Sequence, residues 1–590
     1  MKFGKLPAAL GLALIAAGCG SPADLGAPEN LPKSPCDEVS SVDLASHEPG
    51  DLVRSSALDP GSDDVSFPAG AEAWRILYVS TGNSNSDLQL VCGVVVAPQD
   101  TAKIDAAGAE EGQGRMVTWS HGTIGLQARC QPSMTPEANI WGAMPGGINQ
   151  VAWGKEGKPN GRKGDPADGA LQYMIDNGWV VAATDYYADL EGGSGLEPYV
   201  VGKIEAANTI DSARAAHQLL VKEADGYDVD SYEYMTWGHS QGGHSAAWAA
   251  QLAEPYSEAT DSQSSPRLEL RGAALLAPAT TIVVDAEAQP YTANHHGLAD
   301  WIAHQKLGPT VFGDELGLLP LGPSLFSFIL GSWTQVSEGE PAKPGEMPAF
   351  PPKADNLSLD SIATDRAVGT IEDVKKLCLE DEPLKVLKAT AQYDVEDFLV
   401  PELGNGPRID GQVHGNMDVV CSGEPDEQVA KWCDWMKYQA PGPLGTSDLP
   451  KIPRNGDELA PVYIADGTND LIIRCATSTK LSEQVDVVPN AKDCLSLAFY
   501  DAMAEGAYCP EGEDPAGYLK LDLWQQNDST TAAGHFEVPG LAAARSLEEP
   551  VFEGSPLESF MRDAFDQKLN PQCVKPKLMN PSSNTSGAQR

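Results

Sequence analysis

Residues 238–242, Gly-His-Ser-Gln-Gly, have the residue types and spacing of a serine nucleophile held on a tight turn. The turn from strand to helix is crowded, so glycines flank a serine whose hydroxyl projects at the sheet edge. The apolar run Tyr234–Trp237 precedes the turn, and the small residues of 243–250 predict a closely packed helix after it. The alternative is a glycine-rich loop that contains a serine by chance, since the chain has 58 glycines. The context favours Ser240 as a nucleophile.

A serine hydroxyl needs a base to activate it, and the base needs an acid to orient it. When the serine follows such a strand, the acid and then the histidine come later in the chain. His535 follows the last predicted strand and is the predicted base. The acid is expected after the strand predicted at residues 461–465, where we favour Asp470. Asp466 is the rival, although an aspartate beside a glycine is also typical of a turn.

Acyl transfer through a serine also needs hydrogen-bond donors for the oxyanion of the tetrahedral intermediate. One predicted donor is the backbone N–H of Gln241, directly after the nucleophile. The second is expected from the loop after the early strand Met116–Trp119, where we assign Thr123. An ordinary strand-ending turn is the alternative for this loop.

Strands alternate with helices along much of the chain, which predicts a mostly parallel sheet covered by helices on both faces. A hairpin is predicted from residues 74–80 and 88–97, and a helix from residues 170–177. The alternation stops after Pro278 and returns at Pro461, so we interpret the intervening segment as an inserted, mainly helical cap. The predicted divisions are a signal peptide at 1–18, a tether and irregular segment at 19–71, a core at 72–280, a cap at 281–458, a second core part at 459–570 and a tail at 571–590.

These motifs together resemble the secretory lipase (lipase A-like) family of α/β-hydrolases. The resemblance covers roughly residues 72–280 and 459–548, and it implies an α/β-hydrolase fold, hydrolysis of carboxylic esters and a mobile cap. The family usually has tyrosine before the nucleophile, whereas this chain has His239. The matching pieces are Trp-Ser-His-Gly-Thr-Ile-Gly at 119–125, Cys-Gln-Pro-Ser at 130–133, Thr-Asp-Tyr-Tyr at 184–187, Pro-Tyr-Val-Val-Gly at 198–202, Gly-His-Ser-Gln-Gly-Gly at 238–243, Asp-Gly-Thr-Asn-Asp at 466–470 and Gly-His at 534–535.

Acidic residues outnumber basic ones by 84 to 40, which gives a formal net charge of −44. Binding to nucleic acid or to an anionic membrane surface requires a surplus of basic charge, so the composition argues against such partners. Hydrophobic residues make up 42 % of the 590 residues, enough for a large core. The charge and composition leave the oligomeric state open.

The N-terminus predicts export from a bacterial cell. Lys2 and Lys5 precede the short apolar run Leu6–Ala17, which indicates a signal peptide. Small residues before Cys19 resemble a lipobox, which implies cleavage there and a lipid anchor on Cys19, with ordinary signal cleavage as the alternative. We expect a location in the cell envelope or outside the cell, with membrane attachment through the lipidated cysteine only. No other stretch predicts a membrane-spanning helix.

The other ten of the 11 cysteines are an even number in an exported chain, which predicts disulfides of undetermined pairing. No cysteine or histidine spacing predicts a metal site.

The leading hypothesis is an ester hydrolase, either lipase or esterase, that acts through an acyl-serine intermediate without a metal or organic cofactor. A serine peptidase or an acyltransferase on the same fold is the first alternative, because the triad does not fix the acyl acceptor. A catalytically silent surface binding protein is the second. Apolar residues of the cap are expected either to line an acyl tunnel or to form the core of the cap itself: Leu316, Leu318, Leu319, Leu325, Phe326, Phe328 and Ile329.

Overall fold

The apolar runs of the sequence form one ten-stranded sheet in a computed structural model of the chain. The strands are β1 Leu52–Ala57, β2 Ala71–Thr81, β3 Leu88–Pro98, β4 Gln113–Ser120, β5 Val180–Thr184, β6 Ser231–His239, β7 Arg267–Leu276, β8 Val462–Gly467, β9 Tyr518–Trp524 and β10 Gln572–Met579. The structure describes Cys36 and residues 42–579 apart from 59–67, 83–87, 111, 135–168, 188–195, 224–226, 261–264, 285–296, 304–305, 308–318, 337–356, 380–382, 407, 410–411, 414–415, 447–448, 469, 471, 476–493, 511–512, 526–533 and 547–550.

The strand order is β1-β2-β3-β5-β4-β6-β7-β8-β9-β10. The first three strands are antiparallel to their neighbours, which confirms the predicted hairpin of β2 and β3. From β5 to β10 every neighbouring pair is parallel. Parallel strands end at one edge of the sheet, so the loops that follow β4, β6, β8 and β9 meet there.

Helices cover both faces of the sheet. Strands β4 to β8 carry apolar side chains on each face, and the helices bury them. Two long helices and their neighbours bury one apolar cluster, and shorter helices bury another on the opposite face. The helices are α1 Thr101–Asp105, α2 Ala170–Asp176, α3 Gly202–Glu223, α4 Gln241–Thr260, α5 Leu298–Ala303, α6 Leu321–Val336, α7 Asp365–Val374, α8 Pro383–Thr390, α9 Val395–Phe398, α10 Pro401–Gly404, α11 Met417–Ser422, α12 Glu427–Tyr438, α13 Leu495–Met503, α14 Val538–Ala542 and α15 Pro556–Phe565.

The described part of the chain between β7 and β8 contains helices α5 to α12. Two 3₁₀ helices and three two-stranded sheets lie among and after these helices. The apolar side chains of this segment join those of α3 and α4 in a third buried cluster. This segment therefore packs on the core domain at the edge where the catalytic loops were predicted to meet.

Two strands lie in segments for which the sequence predicted no regular structure. β1 lies in the predicted irregular segment, where its polar composition obscures the strand pattern, and it pairs with β2 at one edge of the sheet. β10 begins at the predicted C-terminal tail and pairs with β9 at the other edge. Its Pro576 and two lysines are typical of an edge strand, which has one unpaired side.

The ten cysteines after Cys19 form five disulfides, which confirms the predicted disulfides and supplies the pairing that the sequence left open. Cys130–Cys378 joins the loop after β4 to the segment between β7 and β8. The pairs are Cys36–Cys92, Cys130–Cys378, Cys421–Cys433, Cys475–Cys494 and Cys509–Cys573.

Within the described ranges, no helix has the length and apolar character needed to cross a membrane. The predicted signal peptide and Cys19 lie outside those ranges.

Candidate active site

Ser240 lies on a strained turn between β6 and α4, as the sequence predicts. Its backbone has a φ of +61°, in the left-handed region that side chains other than glycine rarely adopt. Gly238 and Gly242 make the turn possible, because a Cβ on either would collide with a backbone carbonyl oxygen. The Ser240 N–H donates to the carbonyl of Leu276 on the neighbouring strand at 2.9 Å, which fixes the turn to the sheet.

The structure brings Ser240, His535 and Asp470 into one hydrogen-bonded chain. The Ser240 hydroxyl lies 2.8 Å from His535 Nε2, and His535 Nδ1 lies 2.7 Å from Asp470 Oδ2. With Nδ1–H donating to the carboxylate, Nε2 is free to accept the serine proton. Asp470 is held in turn by the backbone N–H groups of Ile472 and Ile473, which donate to its Oδ1 at 2.7 and 2.9 Å.

Burial acts against charge on the acid and the base. It lowers the pKa of His535 from 6.5 to about 3, so the neutral imidazole that can accept a proton is favoured. It raises the pKa of Asp470 from 3.8 to about 8, and hydrogen bonds from Ile472, Asp466 and Ile473 oppose this rise. The ionised state of Asp470 therefore depends on the donors around it.

Asp466, the rival acid, lies at the end of β8, and its carboxyl bonds to groups other than the imidazole. Its Oδ2 accepts from the Ser496 hydroxyl at 2.6 Å, and its Oδ1 accepts from the Gly467 N–H at 2.7 Å. Its carboxyl also lies within hydrogen-bonding reach of Asp470. The sulfurs of Cys475 and Cys494 are nearby, but they are joined in a disulfide and offer no thiolate for a metal.

Thr123 and Gln241, the predicted oxyanion donors, lie beside the nucleophile and line one cleft with it. Gln241 is the first residue of α4, so its N–H has no carbonyl partner within the helix. The loop after β4 passes close to the serine, since a Cβ on Gly122 would lie 3.8 Å from Ser240 Cβ. The Thr123 hydroxyl forms a hydrogen bond of 2.7 Å with the hydroxyl of Tyr199.

The cleft next to Ser240 has a volume of about 680 Å³, including space open to solvent, and its walls are mainly apolar. Of the apolar residues named from the sequence, Leu325, Phe326 and Ile329 line it, whereas Phe328 is fully buried and does not. Leu316 and Leu318 lie outside the described ranges, as does the side chain of Leu319. The lining residues from the segment between β7 and β8 are Ala279, Ile282, Leu298, Ala299, Ile302, Leu325, Phe326, Ile329, Leu330, Trp333, Ile362 and Met436.

His239, directly before Ser240, contacts His535. Its Nε2–H donates to the backbone carbonyl of His535 at 2.9 Å, and the two rings lie 4.5 Å apart between centroids. Burial, and next the neighbouring His535, lower the pKa of His239 well below its ordinary value, which favours its neutral form. The sequence identified His239 as unusual, but only the fold shows that it contacts His535.

Two buried glutamates support the nucleophile turn, and sequence reasoning missed them. Glu205 on α3 accepts from the side chains of Gln241 at 2.8 Å and Ser245, and it lies 3.2 Å from His244 Nδ1. Glu197 also accepts from the Gln241 side chain, and burial raises its pKa well above its ordinary value. The α3 helix is buried nearly all round, so its glutamate lies inside the protein although apolar spacing would place a glutamate on an exposed face.

The other histidines that follow the nucleophile do not compete with His535 where the structure describes them. The His244 ring instead contacts Glu205 and Gln439, and its Nε2–H donates to the carbonyl of Gln439 at 2.8 Å. His295, His296, His304 and His414 lie outside the described ranges.

The strand order and the strained serine turn after β6, with the acid after β8 and the histidine after β9, define an α/β-hydrolase fold. Residues 168–302, which contain the serine turn, match the family model described as secretory lipase. The resemblance to this family that the motifs indicated is therefore confirmed over that segment.

Three similar solved structures have low identity to the chain. The first is Candida antarctica lipase A, with 13 % identity, a TM-score of 0.49 and coverage of 92 % of this chain and 89 % of that chain. The rice cell wall degrading esterase LipA of Xanthomonas oryzae has 14 % identity, a TM-score of 0.45 and coverage of 88 % and 96 %. A putative hydrolase of Legionella pneumophila has 14 % identity, a TM-score of 0.45 and coverage of 89 % and 100 %. No curated protein sequence matches the chain.

Proposed function

We propose that the protein hydrolyses carboxylic esters through an acyl-enzyme intermediate on Ser240. The observation that carries this proposal is the hydrogen-bonded chain from the serine hydroxyl through His535 to Asp470, with distances of 2.8 and 2.7 Å. These distances are within the range at which a general base can remove the proton of a nucleophile.

In the first half of the proposed reaction, Ser240 Oγ attacks the ester carbonyl carbon while its proton moves to His535 Nε2. The backbone N–H groups of Thr123 and Gln241 stabilise the negative oxygen of the tetrahedral intermediate. When the carbon–oxygen bond to the alcohol breaks, the imidazolium gives its proton to the departing oxygen. The products of this half are the free alcohol and acyl-Ser240.

In the second half, His535 removes a proton from a water molecule that attacks the acyl carbon. Collapse of the second tetrahedral intermediate returns the proton to Ser240 and releases the carboxylic acid. Asp470 orients the imidazole throughout and stabilises its positive charge without taking the proton. No other reactant is needed, because water supplies the atoms added to the two products.

The apolar lining of the cleft supports a substrate with an apolar acyl group. Leu325, Phe326 and Ile329 present hydrocarbon to the space beside the nucleophile, so an acyl chain that enters it removes apolar surface from water. The hypothesis of an acyl-ester or lipid substrate follows from this lining and from the secretory lipase match. Lipase and esterase activity differ in the preferred chain length and are separated by experiment.

We also propose that the protein is exported and held in the bacterial cell envelope by a lipid on Cys19. The N-terminal charge and apolar run support export, and the five disulfides fit an oxidising compartment. Cells grown with a labelled fatty acid should incorporate it into the wild-type chain and not into Cys19→Ser. Equal labelling of the two chains would contradict the anchor.

The catalytic proposal is tested with the chain lacking residues 1–19 and a series of p-nitrophenyl esters from acetate to palmitate. Ser240→Ala should lose turnover, whereas Ser212→Ala should keep it, because Ser212 is a buried serine that bonds within α3. The chain-length optimum then distinguishes esterase from lipase. A folded wild-type protein that turns over no ester would refute the proposal and favour a peptidase or a binding protein.

A further inference from the structure

Two carboxyl groups lie side by side behind the imidazole, and the proposed reaction uses only one of them. Asp470 contacts His535, and the carboxyl of Asp466 lies within hydrogen-bonding reach of Asp470. Both side chains are fully buried. Two adjacent carboxylates in a dry site repel each other strongly, so such pairs share one proton.

The donors around the pair indicate which carboxyl is ionised. Asp470 accepts from the backbone N–H groups of Ile472 and Ile473 and from His535 Nδ1–H, whereas Asp466 accepts from the hydroxyl of Ser496 and the N–H of Gly467. Asp470 thus has the larger set of N–H donors, which favour its charged form.

The groups that face the pair from neighbouring elements do not reverse this assignment. Ser496 approaches from α13, and His535 and Glu537 approach from the loop after β9. Burial raises the pKa of Glu537 to about 7, so below pH 7 this third carboxyl is mainly protonated and neutral. Burial, and next the charge of Asp470, raise the pKa of Asp466 well above its ordinary value.

We propose that Asp466 is a protonated positioning residue whose carboxyl O–H donates to the carboxylate of Asp470. This inference rests on the proposed function, since it assigns a role to Asp466 through the residue that orients the base. The hydrogen bond stabilises the ionised form of Asp470, which the reaction requires, without adding a second negative charge. The site then has the order Ser240, His535, Asp470, Asp466.

The consequence is a specific dependence of activity on pH. The active form has Asp470 ionised and His535 neutral, so kcat/KM rises with pH as the pair loses its extra proton. A donor to Asp470 lowers the midpoint of this rise. Removal of the donor should raise the midpoint by about one pH unit, the lower end of shifts caused by such neighbours.

The test compares the pH profiles of kcat/KM for wild type, Asp466→Ala and Asp466→Asn on one p-nitrophenyl ester. Alanine removes the donor and should raise the midpoint by about one unit. Asparagine keeps a neutral N–H donor and should restore the wild-type midpoint. Asp522→Asn is the matched control, because Asp522 is a buried carboxylate on β9 that contacts Tyr463 and Lys520 and should not move the midpoint.

Each outcome has a defined meaning. If Asp466 is ionised, Asp466→Asn removes a negative charge and lowers the midpoint, which overturns the inference. If neither variant moves the midpoint while thermal stability falls, Asp466 has only a structural role and the inference is also overturned. A wild-type protein without esterase activity refutes the proposed function instead, which separates the two failures.

Infrared spectroscopy gives a second measurement that does not depend on the folding of the alanine variant. The difference spectrum of wild type minus Asp466→Asn, recorded above the midpoint of the wild-type kcat/KM profile, should contain the carbonyl stretch of a protonated carboxylic acid, sensitive to exchange into D₂O. Its absence would overturn the assignment of the proton to Asp466.

Discussion

Removal of the Cys130–Cys378 disulfide should destabilise the protein more than removal of Cys421–Cys433. The first closes a loop with a sequence separation of 248 and the second one of 12. The chain-entropy relation then gives about 5.5 kcal/mol for the first and about 3 kcal/mol for the second at 25 °C. The expected difference in the free energy of unfolding is therefore about 2.5 kcal/mol.

The same disulfide should affect activity, because it lies next to the loop that carries Thr123. Cys378 pairs with Gly125 in an isolated β-bridge, and Leu379 N–H donates to the carbonyl of Ile124 at 2.7 Å. The bridge therefore holds the segment between β7 and β8 against the loop that supplies an oxyanion donor. Loss of one such donor costs about 10²–10³ in kcat, and a loosened one should cost about tenfold.

The assay uses the double variants Cys130→Ala/Cys378→Ala and Cys421→Ala/Cys433→Ala. Urea unfolding measures stability, and p-nitrophenyl ester hydrolysis measures kcat and KM. Equal losses of stability would refute the dependence on loop length. A large loss of stability with unchanged kcat would instead show that the bridge is not needed to position Thr123.

Four further outcomes are expected. Asp470→Asn should lower kcat by about 10⁴ with an unchanged melting temperature, because the amide favours the wrong imidazole tautomer, and a loss under tenfold would contradict this role. The rise of wild-type kcat/KM with pH should have its midpoint well above the ordinary carboxyl value of 3.8 and towards 8, because burial raises the pKa of Asp470 and His535, with a pKa lowered to about 3, is already neutral there; a midpoint near 3.8 would contradict it. Ile329→Trp should fill part of the cleft and shift the optimum of the ester series to shorter chains, and an unchanged optimum would place the acyl group elsewhere. His239→Phe keeps the ring contact but removes the bond to the carbonyl of His535, so kcat should fall about 10- to 100-fold, and an unchanged kcat would show that the bond does not position the base.

The sequence predicted the parts of the site that depend on local chemistry. The turn at Ser240 needs glycines because of crowding within five residues, so its pattern is visible without the fold. The order of serine, acid and histidine follows from the order of strands in this fold, which led to Asp470 and His535. The hairpin and the parallel strands were likewise predicted from apolar runs of strand length.

The supporting residues could not be predicted, because their partners are distant in the chain. Glu205 and Gln241 are 36 residues apart, and His239 and His535 are 296 residues apart. Apolar spacing treats a glutamate on a helix as exposed, whereas α3 is buried by packing on several sides. The disulfide pairing could not be predicted for the same reason, because ten cysteines allow many connectivities and only the fold selects one.

The formal net charge of −44 counts every acidic side chain as ionised, but the surroundings of the nucleophile do not carry that charge in full. Burial raises the pKa values of Glu197, which accepts from the Gln241 side chain, and of Asp466, beside Asp470, well above the ordinary value. Ionised carboxylates near the nucleophile would oppose the negative oxygen of the proposed tetrahedral intermediate. In the proposed site, protonated Glu197 and Asp466 keep their hydrogen bonds to Gln241 and Ser496, while the N–H groups of Ile472 and Ile473 favour the negative charge on Asp470.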